Sequence, residues 1–440
     1  MPVITTIELV DLRFPTSESN AGSDAVNKDA DYSAAYLRLA TDDSTLYGCG
    51  FTFTIGRGNE ICLQAMEVLA AKLVGRDVAQ VCRAPGTVYR ELAEDSQLRW
   101  LGPDKGVVHL ARAAVMNAVW DLAARHAEVP LWRLICEMDP EVLVEQLDLS
   151  YLGDVLSAGE AVAMLEEQRP FHQARIAELS EQGFPCYTTS PGWLGYSDDK
   201  LARLCREAMD EGYQHIKLKV GGDPADDERR LGIARSVIGP DKMLMIDANQ
   251  IWEVPEAIER VEALAHHGLL WIEEPTSPDD VLGHRRIADS VRQRGIGVAT
   301  GEHGMNRVLF KQLLQADAVD FVQIDSCRLA SINEIIPVLL MAKKSGKPVC
   351  PHAGGVGLCE LVSHLVMIDH IAVSGPVAGR VAEFVDHLHE HFVDPCHVSQ
   401  GAYVLPTRPG YAAEIKAETL AAWAWPDGTE WVKRRQVMTA

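Results

Sequence analysis

At 440 residues, 47% hydrophobic and 24% charged, the chain can bury a large core and falls outside the disordered, fibrous and membrane classes. Acidic residues outnumber basic ones 63 to 41, a net charge of −22; with no Lys/Arg-rich stripe, this argues against nucleic acid as a partner. So negative a protein must build a local positive pocket to hold an anionic substrate, which makes lysines set among carboxylates informative.

The first residues, MPVITTIELVDLRFPTS, lack a basic stretch followed by an apolar one and read as a strand, not a secretory signal. No apolar run approaches the ~20 residues of a membrane span. The ten cysteines are scattered without a C-x-x-C pair, so reduced, buried thiols and a cytoplasmic location are expected. Strand-like VITTIELVDLRF and SAAYLRLATD give way to helical ICLQAMEVLAAKLVG and GVVHLARAAVMNAVWDLAARH, the order of a separate α+β lobe spanning residues 1–184.

From residue 185 to 394 a unit repeats: a short apolar run, a polar turn, an amphipathic helix. The runs are CYTTS (186–190), HIKLKV (215–220), LMIDAN (244–249), LLWIEEP (269–275), GVATGE (297–302), FVQIDS (321–326), PVCPH (348–352) and VAEF (381–384). Eight strands with helices between most of them predict a parallel α/β barrel. Residues 395–440, rich in Pro, Gly and Trp, return to loop and strand character and are not further barrel units.

Catalytic groups of such a barrel sit at the C-terminal ends of the strands. Strand two ends Lys217-Leu-Lys219, with both lysines on one face. The following strands end in Asp247, Glu273, Glu302, Asp325, His352 and Glu383. One such acid is most often a solvated rim residue or a helix cap. Asp247, Glu273 and Glu302, one barrel unit apart, form a cluster that repels itself unless a cation neutralises it. All-oxygen ligands favour Mg²⁺, with Mn²⁺ second. Beside a metal and a second lysine, Lys219 is expected to have a depressed pKa and to serve as a general base, with Lys217 holding a substrate carboxylate. Asp325 would fix the tautomer of His352, and Glu383 could hydrogen-bond a developing enolate oxygen. His387, His389 and His391 alternate in DHLHEHF; with no fourth ligand in view for zinc, they read as ordinary packing. The glycines of IGRGNE and HAGGVG match no phosphate-binding fingerprint and read as turns.

The order K-x-K, Asp, Glu, Glu, Asp, His, Glu resembles the mandelate racemase subgroup of the enolase superfamily over nearly the whole chain. Within it, DLRFPTS (11–17), DYSAAY (31–36), SQLRWLGP (96–103), WLGYSDDK (193–200), WIEEPTSPDDVLGH (271–284), PHAGGVGLCELV (351–362) and EFVDHLHEHF (383–392) are similar to the L-fuconate dehydratases. The resemblance implies a (β/α)7β TIM-like barrel with an N-terminal capping domain completed by the C-terminal segment. It implies metal ligands Asp247, Glu273 and Glu302, base Lys219, and general acid His352 oriented by Asp325. Lys217, Glu383 and Asn249, with Gly22, Ser23, Asp24 and Tyr32 of the cap, would contact substrate. Ile251 stands where the pattern has a basic residue. The implied reaction is Mg²⁺-dependent dehydration of an acid sugar, foremost L-fuconate to 2-keto-3-deoxy-L-fuconate; dehydration, racemisation or epimerisation of another sugar acid is the alternative. A cycloisomerase would want a lysine at the end of strand six, where Asp325-Ser326-Cys327 stands. A hydrolytic zinc barrel would want H-x-H after strand one, where Thr188-Thr189-Ser190 stands, and a non-catalytic barrel would not keep the full set. Expected partners are the small acid-sugar substrate and further copies of the chain, with no nucleic acid or membrane.

Overall fold

The computed structural model describes residues 2–102, 104–376 and 379–438. Pro103, the last residue of SQLRWLGP, lies outside them.

The first lobe opens with an antiparallel meander of β1 (Ile4–Arg13), β2 (Ser33–Thr41) and β3 (Tyr47–Thr54). Helix Gly106–His126 lies on β3 and is buried on all sides along its middle turns. The approach is close because β3 carries Gly48 and Gly50 opposite an alanine-rich stretch. A Cβ on Gly50 would stand 2.3 Å from the Ala114 carbonyl oxygen, so a larger residue would push the sheet off the helix. Asp121 of the same helix accepts from the Cys49 and Tyr411 amides at 2.8 and 2.6 Å, joining sheet, helix and C-terminal segment.

The barrel follows, with parallel strands β4 (Phe184–Thr188), β5 (His215–Lys219), β6 (Met243–Asp247), β7 (Leu269–Glu273), β8 (Gly297–Thr300), β9 (Phe321–Val322) and β10 (Ala382–Phe384). Strand seven of the sequence reading, 348–352, is not a regular strand. Pro348 and Pro351 have no N–H to give a ladder, and the bonds that form run from the amides of Val322, Cys350, His352 and Glu383 to the carbonyls of Pro348, Val322, Ile324 and Pro351, at 2.9, 2.8, 3.0 and 3.0 Å. These still seat the segment between β9 and β10, and β10 pairs with β4 to close the ring. Helices Asp198–Asp210 and Val254–Leu264 connect β4 to β5 and β6 to β7, the first capped by Ser197.

Tyr187, Met245, Trp271, Ala299, Cys350 and Val381 fill the barrel interior as a separate buried cluster. This plug is the floor of the site above it. The fold is therefore α/β, a TIM-like barrel with an α+β cap. In the C-terminal stretch, β11 (Val398–Ser399) and β12 (Ala402–Tyr403) form a hairpin that joins the start of β4. Farther on, Trp425 donates its amide to Asp11 of β1 at 2.7 Å, and Trp423 packs on Phe14.

Cap and barrel are locked by a buried charge network. Glu334 accepts from His109 of the cap helix at 2.9 Å, from the Arg307 guanidinium at 3.0 Å and from the Ala330 amide at 2.9 Å. Arg307 also reaches Asp148 at 2.8 Å. Burial alone would raise the Glu334 pKa, but His109, Arg307 and Arg112 together hold it well below the carboxylate range. Its contribution is thus present above the unfolded pKa of about 4.3 and is lost in acid. Glu334→Ala, which removes the buried acceptor shared by His109, Arg307 and the Ala330 amide, is expected to cost about 3–5 kcal/mol in equilibrium urea unfolding; a loss within about 0.5 kcal/mol, as for a surface change, contradicts this.

Candidate active site

Lys219, Asp247 and Glu273 end three neighbouring strands and lie in register across them. Their side chains therefore rise from the same level on the same side of the sheet. Glu302 follows β8 in the loop, and oxygens of Asp247, Glu273 and Glu302 come within 4.8 Å of one another. All three residues are buried. The Glu302 Oε2 atom has no hydrogen-bond partner, a costly state for a buried oxygen unless a cation meets it. The donor set and this orphaned atom fit a hard divalent ion.

The lysines partly compensate the cluster. Lys217, fully buried, pairs with Glu273 and lies 3.4 Å from Asp247 and 3.1 Å from Glu383. Lys219 lies 2.5 Å from Asp247, with the Trp193 ring 5.5 Å from its Nζ. Burial would lower the Lys219 pKa, yet Asp247, with Glu302 and Asp24, raises it above its ordinary value. The expected depression is thus reversed among the protein groups alone, because Lys219 serves as the counter-cation of Asp247. In turn, burial favours the neutral form of Asp247, but the two lysines outweigh it and hold the group well below the usual range. Glu273 is pushed well above that range by burial and by the neighbouring acids. Burial, with Glu274 and Asp247, lifts Glu302 to about 7.

Across the mouth, His352 Nδ1 meets Asp325 Oδ2 at 2.8 Å. Asp325 is itself fixed by the Cys327 and Arg328 amides, both at 2.7 Å. The outer nitrogen, Nε2, lies 3.6 Å from Glu302 and 3.8 Å from Glu383. Burial disfavours the imidazolium, but Glu302, Asp325 and Glu383 raise its pKa to about 10. The Gly354 amide, 3.1 Å from Nε2, suits the neutral ring. The surroundings thus provide for both states of a proton donor.

Glu383 pairs with Thr189 and accepts from the Ala353 amide at 2.9 Å. Burial opposes its ionisation, but Lys217, His352 and Lys219 bring its pKa down to about 2. An ionised carboxylate accepts hydrogen bonds and cannot donate, so with no ion bound Glu383 is an acceptor and can take a hydroxyl.

A cavity of about 240 Å³ covers these groups, lined by Lys219, Asn249, Glu302, Asp325, His352 and Glu383 of the barrel and by Gly22, Asp24 and Tyr32 of the cap. Gly22 is required there: its φ is +82° and a Cβ would meet the Tyr32 ring at 2.5 Å. Asn249 presents a buried Oδ1 without a partner. Lys217, Asp247 and Glu273 lie beneath this lining. Ser23 does not reach the cavity, and its carbonyl oxygen accepts from the Leu194 amide. Ile251 is 41% exposed and stands outside the lining.

Sequence reasoning passed over several neighbours. Gln323 donates to Glu273 at 2.7 Å, and its signal was an amide inside the apolar run FVQID. His303 bonds Glu274 at 2.8 Å, and Arg328 and Arg57 add cations to the wall. Asp325→Ala is expected to lower the His352 pKa by about one unit or more in an NMR titration of the metal-free protein; an unchanged value would mean that Asp325 does not govern the ring.

Residues 200–419 match the family described as "Enolase C-terminal domain-like". Residues 23–136 match "Mandelate racemase / muconate lactonizing enzyme, N-terminal domain". The chain is 51% identical over 431 residues to human "Mitochondrial enolase superfamily member 1", covering 98% of this chain and 97% of that protein. The crystal structure of that human protein superposes with a TM-score of 0.97, covering 98% of each chain. Identity is also 51% over 433 residues to the "L-galactonate dehydratase" of Hypocrea jecorina, covering 97% of this chain and 96% of that one. A racemase from Streptomyces coelicolor A3(2), crystallised with bound magnesium, is 25% identical with a TM-score of 0.74, covering 96% and 100%.

Proposed function

Because the chain belongs to the mandelate racemase and muconate lactonizing enzyme family of the enolase superfamily, we propose that it is a Mg²⁺-dependent acid-sugar dehydratase acting foremost on L-fuconate. The observation that carries this reading is the arrangement of Lys219 and His352 around one cavity, above a cluster of three carboxylates. Glu273 and Glu302 are the carboxylates whose ionisation the protein groups leave disfavoured, and a divalent ion held between them and Asp247 would take the place of their protons.

Asp247, Glu273 and Glu302 would hold the ion, with Mn²⁺ as a substitute. Bound there, it would neutralise the cluster, free Lys219 from Asp247 and stabilise the negative charge that builds on the substrate carboxylate. Lys219 Nζ, once neutral, takes the proton from C2. Lys217 supplies positive charge from beneath, and Glu383 accepts a substrate hydroxyl. His352 gives the Nε2 proton to the 3-hydroxyl as the C3–O bond breaks, releasing water and an enol that tautomerises to the 2-keto-3-deoxy acid. Lys219 and His352 rise from strand positions three places apart around the eight-place ring, so base and acid approach from different sides.

L-Fuconate is the 6-deoxy form of L-galactonate, the acid named in the Hypocrea relative, so both substrates share the C2 and C3 centres where the chemistry occurs. Phe53, Ile55 and Leu110 give the cavity an apolar wall that suits a methyl group, and such a wall discriminates only weakly against a hydroxyl. Further copies of the chain are the proposed partners, and ten free cysteines support a reducing compartment, for which we propose the cytoplasm. Among the described residues no helix is long and apolar enough to cross a membrane.

With Mg²⁺, L-fuconate is expected to yield the keto acid at least as efficiently as L-galactonate, and excess chelator is expected to stop the reaction. Turnover in chelator, or turnover confined to an unrelated sugar acid or to racemisation, contradicts the proposal. Lys219→Ala and His352→Asn should each lower keto-acid formation by about 10²–10⁴-fold. Only the His352 variant should still exchange the C2 hydrogen with deuterated solvent; exchange surviving in Lys219→Ala would assign the base elsewhere.

A further inference from the structure

The three alternating histidines of DHLHEHF are pulled apart by the fold. His387 turns its ring toward Tyr32 at 5.2 Å, and His391 stacks on Phe14 at 4.5 Å and bonds Thr419. His389 points elsewhere, to Cys359, 30 residues before it, and to Cys396, seven residues after it. Cys359 lies in the first turn of helix Leu358–Ile368, His389 begins the turn His389–His391, and Cys396 precedes β11. Their two sulfurs and one ring nitrogen lie within 4.8 Å of one another, and Cys396 Sγ is 3.7 Å from His389 Nδ1. Tetrahedral zinc, with bonds of about 2.0–2.3 Å, spaces its donors about 3.5–3.8 Å apart.

The imidazole is held ready for such a role. Its Nε2 faces the Val385 carbonyl oxygen at 2.8 Å, and its face stacks on Phe384 with ring centroids 5.0 Å apart. A ring whose outer N–H is committed to a backbone carbonyl presents its other nitrogen in a fixed tautomer, as metal-bound histidines do. That nitrogen, Nδ1, faces Glu360 Oε1 at 2.7 Å. Glu360 is fully buried, and its second oxygen, Oε2, has no partner. With both ring nitrogens facing oxygens, the ring holds a proton on each when no ion is bound, and an ion held by the two thiols would take the place of the Nδ1 proton. Sulfur and imidazole donors select a soft ion over Mg²⁺. His389 and Cys396 border a surface groove with Glu211, Tyr213 and Pro395, which gives an ion a way in.

We propose that Cys359, His389 and Cys396, with Glu360 as the fourth donor, form a second metal centre that binds Zn²⁺ and is separate from the all-oxygen cluster at the barrel mouth. Its role is structural. It ties the helix that follows His352 to the turn that follows Glu383 and to the start of the C-terminal stretch, bracing the loops that carry both residues. It does not depend on the substrate assignment.

The test uses the full chain, free of any affinity tag, in excess Mg²⁺. Elemental analysis of the purified protein is expected to find one zinc per chain. Exchange for Co²⁺ should produce a thiolate-to-cobalt charge-transfer band together with the strong visible absorption of tetrahedral cobalt. Asp247→Asn should keep both features, whereas Cys396→Ser, with an unchanged far-ultraviolet dichroism spectrum, should lose zinc affinity roughly tenfold or more. If Cys396→Ser does not fold, the cobalt spectrum of the unmutated chain decides. No charge-transfer band in that chain, a band that survives in folded Cys396→Ser, or a Cys359–Cys396 disulfide in freshly purified protein would overturn the proposal.

Discussion

Five carboxylates gathered in a buried barrel mouth are the constraint around which the rest of this molecule is arranged. In isolation such a group would not stay ionised, since burial and mutual repulsion both favour protonation. Lys217 and Lys219 hold Asp247 well below the usual carboxylate range, Lys217 with His352 holds Glu383 near 2, and Glu273 and Glu302 are left with raised values. Two of the three residues whose oxygens converge therefore favour holding a proton when no ion is bound. This is the electrostatic form of a binding site for a small, hard cation. It also accounts for the burial of Lys217 and Lys219 among these acids.

The architecture supplies what this cluster needs. Register across β5, β6 and β7 brings Lys219, Asp247 and Glu273 to one level, and the interior plug around Trp271 keeps water from below. The cap covers the mouth with Gly22, Asp24 and Tyr32. It is held in place by the buried Glu334 network on one side and by the C-terminal segment, lying against β1, on the other. Rigid elements thus carry the charged groups, and loops close over them, the usual division of labour in a barrel enzyme.

Much of this was legible in the sequence because a parallel barrel repeats. One apolar run per unit, each followed by a titratable residue, is enough to place Asp247, Glu273, Glu302, Asp325, His352 and Glu383 around one rim. What escaped the reading depends on contacts that no local pattern encodes. The segment 348–352 has the composition of a strand, but its two prolines withhold the ladder. The Lys219 pKa is expected to fall beside a metal and Lys217, and among the protein groups alone it moves up because the acid 2.5 Å away outweighs the neighbouring lysine. Glu383 is an acceptor because Lys217 lies beneath it, which spacing alone does not reveal. The partners of His389 come from Cys359 and Cys396, and neither lies in the histidine motif.

The claim at the centre is that a divalent ion takes over Asp247 and releases Lys219 to act as a base. The most direct measurement is the titration of the Lys219 amine, followed by isotope-edited NMR or by the pH dependence of its chemical modification, with and without saturating Mg²⁺. The account predicts a pKa above that of an ordinary lysine in the metal-free protein and a marked fall when Mg²⁺ is bound. A lysine that titrates identically in both states would contradict it.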